Sequence, residues 1–204
     1  MSNRTLIIVV SILIAFLVTL SLLPKRIIAN YPSSGRDIIA FGDSLVVGYG
    51  AREGSDFVTL LSNKIQIPII NLGKKGDTTA DAILRLGEID AYNPKVVMIL
   101  LGGNDFLKKV PIEITRANLE QIIQYIQSKK AVVVLLGVRG GVLKDGFSSM
   151  YEDLSQKYNT AYVPDVLKGL VFNTNYMYDA VHPNDAGYRL IAEKIYPVIK
   201  KFVY

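Results

Sequence analysis

Five short apolar runs alternate with segments of helical spacing along residues 37–204, and this alternation leaves few folds open. The runs are Asp37–Phe41, Ile65–Leu72, Lys95–Leu101, Ala131–Leu136 and Thr160–Val163. They are continuous stretches of apolar residues, as expected of strands buried on both faces. Pro68 interrupts the second run, which the start of a strand tolerates. Helices are expected at Asp56–Lys64, Thr78–Leu86, Ile112–Ser128, Ser148–Tyr158 and Asn184–Phe202. Strands alternating with helices predict an α/β domain whose parallel sheet, of about five strands, is covered on two sides.

In such sheets ligands bind outside the carboxyl ends of the strands. The first run is followed by Gly42-Asp43-Ser44, the second by Gly73-Lys74-Lys75-Gly76-Asp77-Thr78, and the third by Gly102-Gly103-Asn104-Asp105. Three polar, glycine-rich turns are therefore expected at one sheet edge. A fourth segment, Asp179-Ala180-Val181-His182-Pro183, stands just before the last helix. A serine hydroxyl needs a base to become a nucleophile. The chain holds one histidine, so His182 is the imidazole available to Ser44. Asp179, three residues earlier, is placed to curl back onto that ring and fix its tautomer. The oxyanion of an acyl-transfer intermediate needs donors, and the candidates are the Ser44 N–H, the Gly76 N–H and the Asn104 amide. Pro183 suits the first turn of the closing helix. Asp43 and Asp105 read as turn-holding residues bonded locally, and Tyr176, Tyr178 and Tyr188 as packing.

Composition narrows the classes further. Cysteine is absent, which excludes disulfides and thiolate metal sites, and a single histidine excludes zinc sites built from several imidazoles. The net charge of +5 is spread without a basic run interleaved with aromatics, so no nucleic-acid partner is expected. Leu6–Leu23 is an almost unbroken apolar run, about the minimum length for a membrane span. It lacks an Ala-x-Ala cleavage site, so a retained transmembrane helix is preferred to a cleaved signal sequence. The expected organisation is an anchor or signal over residues 1–26, a linker over 27–36 and a catalytic domain over 37–204. Basic residues slightly outnumber on the far side of the run, but short N-terminal tails often disregard so small a bias. The domain is expected outside the cytoplasm.

The strings Gly-Asp-Ser-Leu-Val-Val-Gly-Tyr-Gly (42–50), Gly-Asp-Thr-Thr (76–79), Leu-Gly-Gly-Asn-Asp (101–105) and Asp179-x-x-His182-Pro-Asn occur in this order. Together they resemble the four blocks of the GDSL-type SGNH hydrolases, in the thioesterase I/lysophospholipase/arylesterase branch. The resemblance spans the domain and omits the N-terminal run. It implies a flavodoxin-like three-layer α/β/α fold and no cofactor. It also implies a Ser44 nucleophile, His182 as base, Asp179 as its orienter, and an oxyanion hole of Ser44, Gly76 and Asn104. The implied substrate is a small-molecule acyl ester or thioester with a lipid-like acyl group, and the N-terminal apolar run favours amphiphilic acyl substrates. A carbohydrate O-deacetylase and a non-catalytic binding module are the alternatives, and nothing in the sequence fixes the oligomeric state. Lys74-Lys75 departs from the branch, where small uncharged residues are expected, and is a candidate contact for an anionic headgroup. Gly137–Leu143 reads as a substrate-side loop.

Overall fold

The computed structural model describes residues 27–138 and 146–204, together with the isolated positions Thr5, Val9 and Ile12. The strands are β1 (Asp37–Gly42), β2 (Ile69–Gly73), β3 (Pro94–Leu100), β4 (Val132–Leu136) and β5 (Ala161–Val163). They form one sheet in the order β2-β1-β3-β4-β5, with every pair parallel. The helices are α1 (Ser44–Val47), α2 (Phe57–Ile65), α3 (Thr79–Ile83), α4 (Gly103–Leu107), α5 (Ile112–Ser128), α6 (Gly146–Lys157) and α7 (Asp185–Val203). A 3₁₀ turn over Leu86–Ala91 leads into β3.

Successive side chains of a strand point to opposite faces, and the core divides accordingly. Ile38, Ala40, Val96, Met98, Val132 and Val134 pack with α2 and α7 on one side. Ile39, Phe41, Val97, Ile99, Val133 and Leu135 pack with α3, α5 and α6 on the other. This is the three-layer α/β arrangement expected from the continuous apolar runs.

Local chemistry moves several boundaries. The second run is split: Ile65 closes α2, which Asp56 caps through Thr59, and β2 starts only after Pro68. Thr78 caps α3 in a reciprocal capping box with Asp81, but α3 stops at Ile83, three residues short of the expected end. Pro183 does not open the closing helix. Asn184 is its cap, accepting from Ala186 and Gly187 N–H, so Pro183 lies outside the helix. Among the described residues no helix is long and apolar enough to cross a membrane. The N-terminal run expected to form the anchor lies almost wholly outside those residues, as do positions 139–143 of the expected substrate-side loop.

Residues 29–33 are bound to the body of the domain. Ala29 N–H donates to the Asn159 carbonyl. The Asn30 amide donates to the carbonyls of Gln127 (2.8 Å) and Ala131 (3.1 Å). Ser33 Oγ donates to Lys130, and the Tyr31 ring meets Phe202 edge-on. Asn30 itself has φ 61°, a left-handed conformation that asparagine adopts more readily than alanine. Asn30→Ala is therefore expected to cost about 1–3 kcal/mol, from two lost hydrogen bonds and the added backbone strain. A lower urea midpoint at unchanged slope would show it, and an unchanged midpoint would refute the tie.

Candidate active site

The register of the sheet brings the glycine-rich turns together. Gly42 is level with Gly73 on one side and with Leu100 on the other, so the turns after β1, β2 and β3 leave the sheet at the same height. They are stitched where they leave: Asp43 N–H donates to the Leu100 carbonyl and Lys74 N–H to the Gly42 carbonyl. Gly42 has no alternative, because a Cβ there would lie 2.1 Å from the Leu100 oxygen.

Ser44 is the first residue of α1 and is nearly buried. Its Oγ lies 3.0 Å from Nε2 of His182. On the far side of the ring, Nδ1 lies 2.8 Å and 3.0 Å from the two Asp179 oxygens. The carboxylate also accepts the N–H groups of Val181 (2.9 Å) and His182 (2.8 Å), so it is held by the backbone as well as by the ring. Burial works against its charge, but the Val181 and His182 hydrogen bonds outweigh it and hold the Asp179 carboxyl below its ordinary value. An ionised Asp179 accepts the Nδ1 proton, which leaves Nε2 as an acceptor for the Ser44 hydroxyl. The three side chains singled out in the sequence thus form one hydrogen-bonded row.

The candidate donors lie on neighbouring turns. Asn104 sits at the start of α4, and its Nδ2 donates to the Asp77 carbonyl at 2.9 Å. A primary amide has two protons, so one remains for a ligand. Gly76 occupies a left-handed turn (φ 83°) with open space where a Cβ would stand. Ser44, Asn104 and His182 border a cleft of about 470 Å³, a size usual for small-molecule sites. Leu45, Phe106, Val138, Leu167 and Val171 supply its apolar walls. At its mouth Leu107 and Phe172 are 55% and 81% exposed.

Several roles were not legible in the sequence. Tyr49 packs against the His182 ring (centroids 4.7 Å apart), and its carbonyl accepts the hydroxyl of Tyr188. The Lys75 ammonium stands 3.6 Å from the centroid of the same Tyr49 ring. Asp105 does not bond locally, as its turn position suggested. It is fully buried and accepts the N–H and hydroxyl of Thr79 and the hydroxyl of Thr115, tying β3's turn to α3 and α5. Arg85, just past the end of α3, turns inward to Asp77 and to the ends of β1 and β2. Tyr188 is buried, in keeping with a packing role.

The chain resembles known proteins in sequence and in fold. Residues 40–190 match the profile of the GDSL-like Lipase/Acylhydrolase family. The chain is 27% identical to the Thioesterase 1/protease 1/lysophospholipase L1 of Escherichia coli (strain K12) over 165 residues, 76% of this chain and 79% of that protein. It is 29% identical to an arylesterase of Vibrio mimicus over 168 residues, 76% of this chain and 84% of the other. Among solved structures, that of TesA superposes with a TM-score of 0.77 at 27% identity, over 82% of this chain and 99% of that one.

Asp43, 3% exposed, caps α1 by accepting the Leu45 N–H at 2.9 Å. Burial pushes its carboxyl up to about 7; the Leu45 bond opposes this, and the charges of Asp77 and Asp105 reinforce it. The same group in an unfolded chain titrates near 3.8. The folded state therefore binds the extra proton, and this contribution to stability, full below about pH 4, is lost as pH rises through about 7. Asparagine can replace the cap without the charge. Relative to the parent, Asp43→Asn is thus expected to melt higher at pH 8 than at pH 5. A difference in melting temperature that does not change with pH would contradict it.

Proposed function

The chain belongs to the GDSL-like lipase/acylhydrolase family, and from that premise we propose that it hydrolyses acyl esters or thioesters through an acyl-serine intermediate on Ser44. The observation that carries this reading is the unbroken Ser44–His182–Asp179 row opening onto an apolar cleft. As Ser44 Oγ attacks the carbonyl carbon, its proton passes to Nε2 of His182, and Asp179 stabilises the imidazolium without taking the proton itself. Negative charge then develops on the former carbonyl oxygen. The Ser44 N–H, the Gly76 N–H and the free Asn104 proton are the proposed donors to it. Collapse of the intermediate breaks the bond to the leaving group, which leaves with the proton from His182. Water, deprotonated by the same nitrogen, then attacks the acyl carbon, and as that intermediate collapses the acid departs while Ser44 Oγ takes the proton back from His182.

The size and apolar walls of the cleft favour an acyl chain longer than acetyl. The carbohydrate deacetylase alternative predicts activity on short acetyl esters that falls sharply with chain length. A non-catalytic module would have no physical need for the base, its orienter and the amide together.

Ser44→Ala is expected to lower kcat on p-nitrophenyl esters by roughly 10⁴-fold or more, with thermal unfolding nearly unchanged. Asn104→Ala is expected to cost roughly 10²–10³ in kcat. Parent activity should rise from acetate to longer acyl chains. Near-parental turnover by Ser44→Ala would remove the nucleophile from this account, and activity confined to acetate would favour the deacetylase.

Residues 6–23 serve, in this proposal, as a retained anchor with the catalytic domain outside the cytoplasm; the support is the apolar run itself. Full-length protein should stay with membranes after a carbonate wash, and added protease should digest the domain in intact spheroplasts. Release by carbonate would dispose of the anchor, and protection in spheroplasts of the orientation.

A further inference from the structure

Arg85 does not line the cleft, yet it bonds the carbonyls of Gly42 and Leu72, on the strands that lead to Ser44 and Gly76, and the side chain of Asp77, whose carbonyl accepts the Asn104 amide. Its side chain is 9% exposed and that of its partner Asp77 5%. The guanidinium donates through Nε to Asp77 Oδ2 and from one terminal nitrogen to the Gly42 carbonyl at 2.8 Å. The other terminal nitrogen donates to the Leu72 carbonyl and to Glu88, each at 3.0 Å. Its plane lies over the Phe41 ring, 4.3 Å from the centroid.

Each of these acceptors leads to the site. Gly42 is two residues before Ser44, and its carbonyl also accepts the Lys74 N–H. Leu72 is the penultimate residue of β2, just ahead of the loop that holds Gly76. Asp77 follows Gly76 and is fixed on three sides: its carboxylate by Arg85, its N–H by the Lys74 carbonyl, and its own carbonyl by Asn104 Nδ2. One planar, five-donor group thus sets the spacing between the Ser44 turn and the Gly76 turn, and through Asp77 the direction of the Asn104 amide. A lysine ammonium cannot reproduce that fork. Nor is stability a sufficient account of the ion pair, because desolvation takes back much of the Coulomb gain of a buried pair.

We propose that Arg85 is a positioning residue for the oxyanion donors: through Gly42, Leu72 and Asp77 it holds the Ser44 N–H, the Gly76 N–H and the Asn104 amide on one point. The proposal rests on the acyl-serine reading of the site. It predicts a defect in transition-state stabilisation and not in ground-state binding, since the guanidinium lies outside the cleft walls.

The test uses Arg85→Lys, with turnover expressed per serine titrated by a fluorophosphonate, so that misfolded molecules drop out of the count. The expected result is a kcat about 10- to 100-fold lower with KM within about twofold, the loss typical of donors displaced by about an ångström. In the Arg85→Lys/Asn104→Ala double variant the losses should fall well short of their product, because both act on the same donors. An Arg85→Lys kcat per titrated serine within twofold of the parent would overturn the proposal, and so would fully multiplicative losses. If Arg85→Lys yields no folded protein, Asp77→Asn breaks the same pair from its other end and is read by the same two criteria. Failure of the underlying acyl-serine reading would show separately, as turnover that survives Ser44→Ala.

Discussion

The site depends on the register of three parallel strands. Gly42, Gly73 and Leu100 lie level across the sheet. Chain leaving at those points therefore turns over the same small area. A slip of one residue in either pairing would exchange the two faces of a strand and carry Ser44 away from Asn104. Because both faces of β1 and β3 are apolar, polarity alone does not set this register; the close fit of differently sized side chains to the two layers opposes a slip. The packing that builds the core is thus also what aligns the chemistry.

Beneath that alignment lies a cluster of buried carboxyl groups. Asp43, Asp77 and Asp105 are all buried under the turns, and each is bonded differently. Asp77 is paired with Arg85, Asp105 is satisfied by Thr79 N–H and two threonine hydroxyls, and Asp43 relies on the Leu45 N–H. Burying polar groups in this way is costly unless they are bonded. Here they hold loops that have little apolar surface of their own. The turns are kept in place by hydrogen bonds, the layers by hydrophobic packing, and the two systems meet at Arg85, which touches Phe41 on one face and the turn backbones at its edge.

The division between what the sequence revealed and what it concealed follows the same line. Continuous apolar runs revealed the sheet, the turns that follow its strands placed Ser44 and Asn104 at one edge, and the single histidine with Asp179 three residues before it marked the partners now seen bonded to Ser44, because each depends on pattern along the chain. The tail of α3 was misread because Leu84 and Arg85 continue a helical pattern that the structure abandons at Ile83. Arg85 reaches the strand ends only because the helix stops there. Asp105 looked like an ordinary turn aspartate, and its bonds to Thr79 and Thr115 are visible only once β3, α3 and α5 are packed. Tyr49 belongs to the loop after α1 and meets His182 across more than half of the chain. Contacts distant in sequence, made by residue types that are common in loops, leave no local signature.

The bound segment at residues 29–33 has a topographic consequence. Its partners, Gln127, Lys130, Ala131, Asn159 and Phe202, stand where α5 ends, β4 begins, β5 is about to begin and α7 ends. That is the amino edge of the sheet. Ser44 and His182 stand at the carboxyl edge, one strand length away, roughly 20 Å for six residues. The domain therefore has a root and a mouth at opposite poles. The chain thus joins the described domain at the pole opposite the cleft, about one sheet height from Ser44.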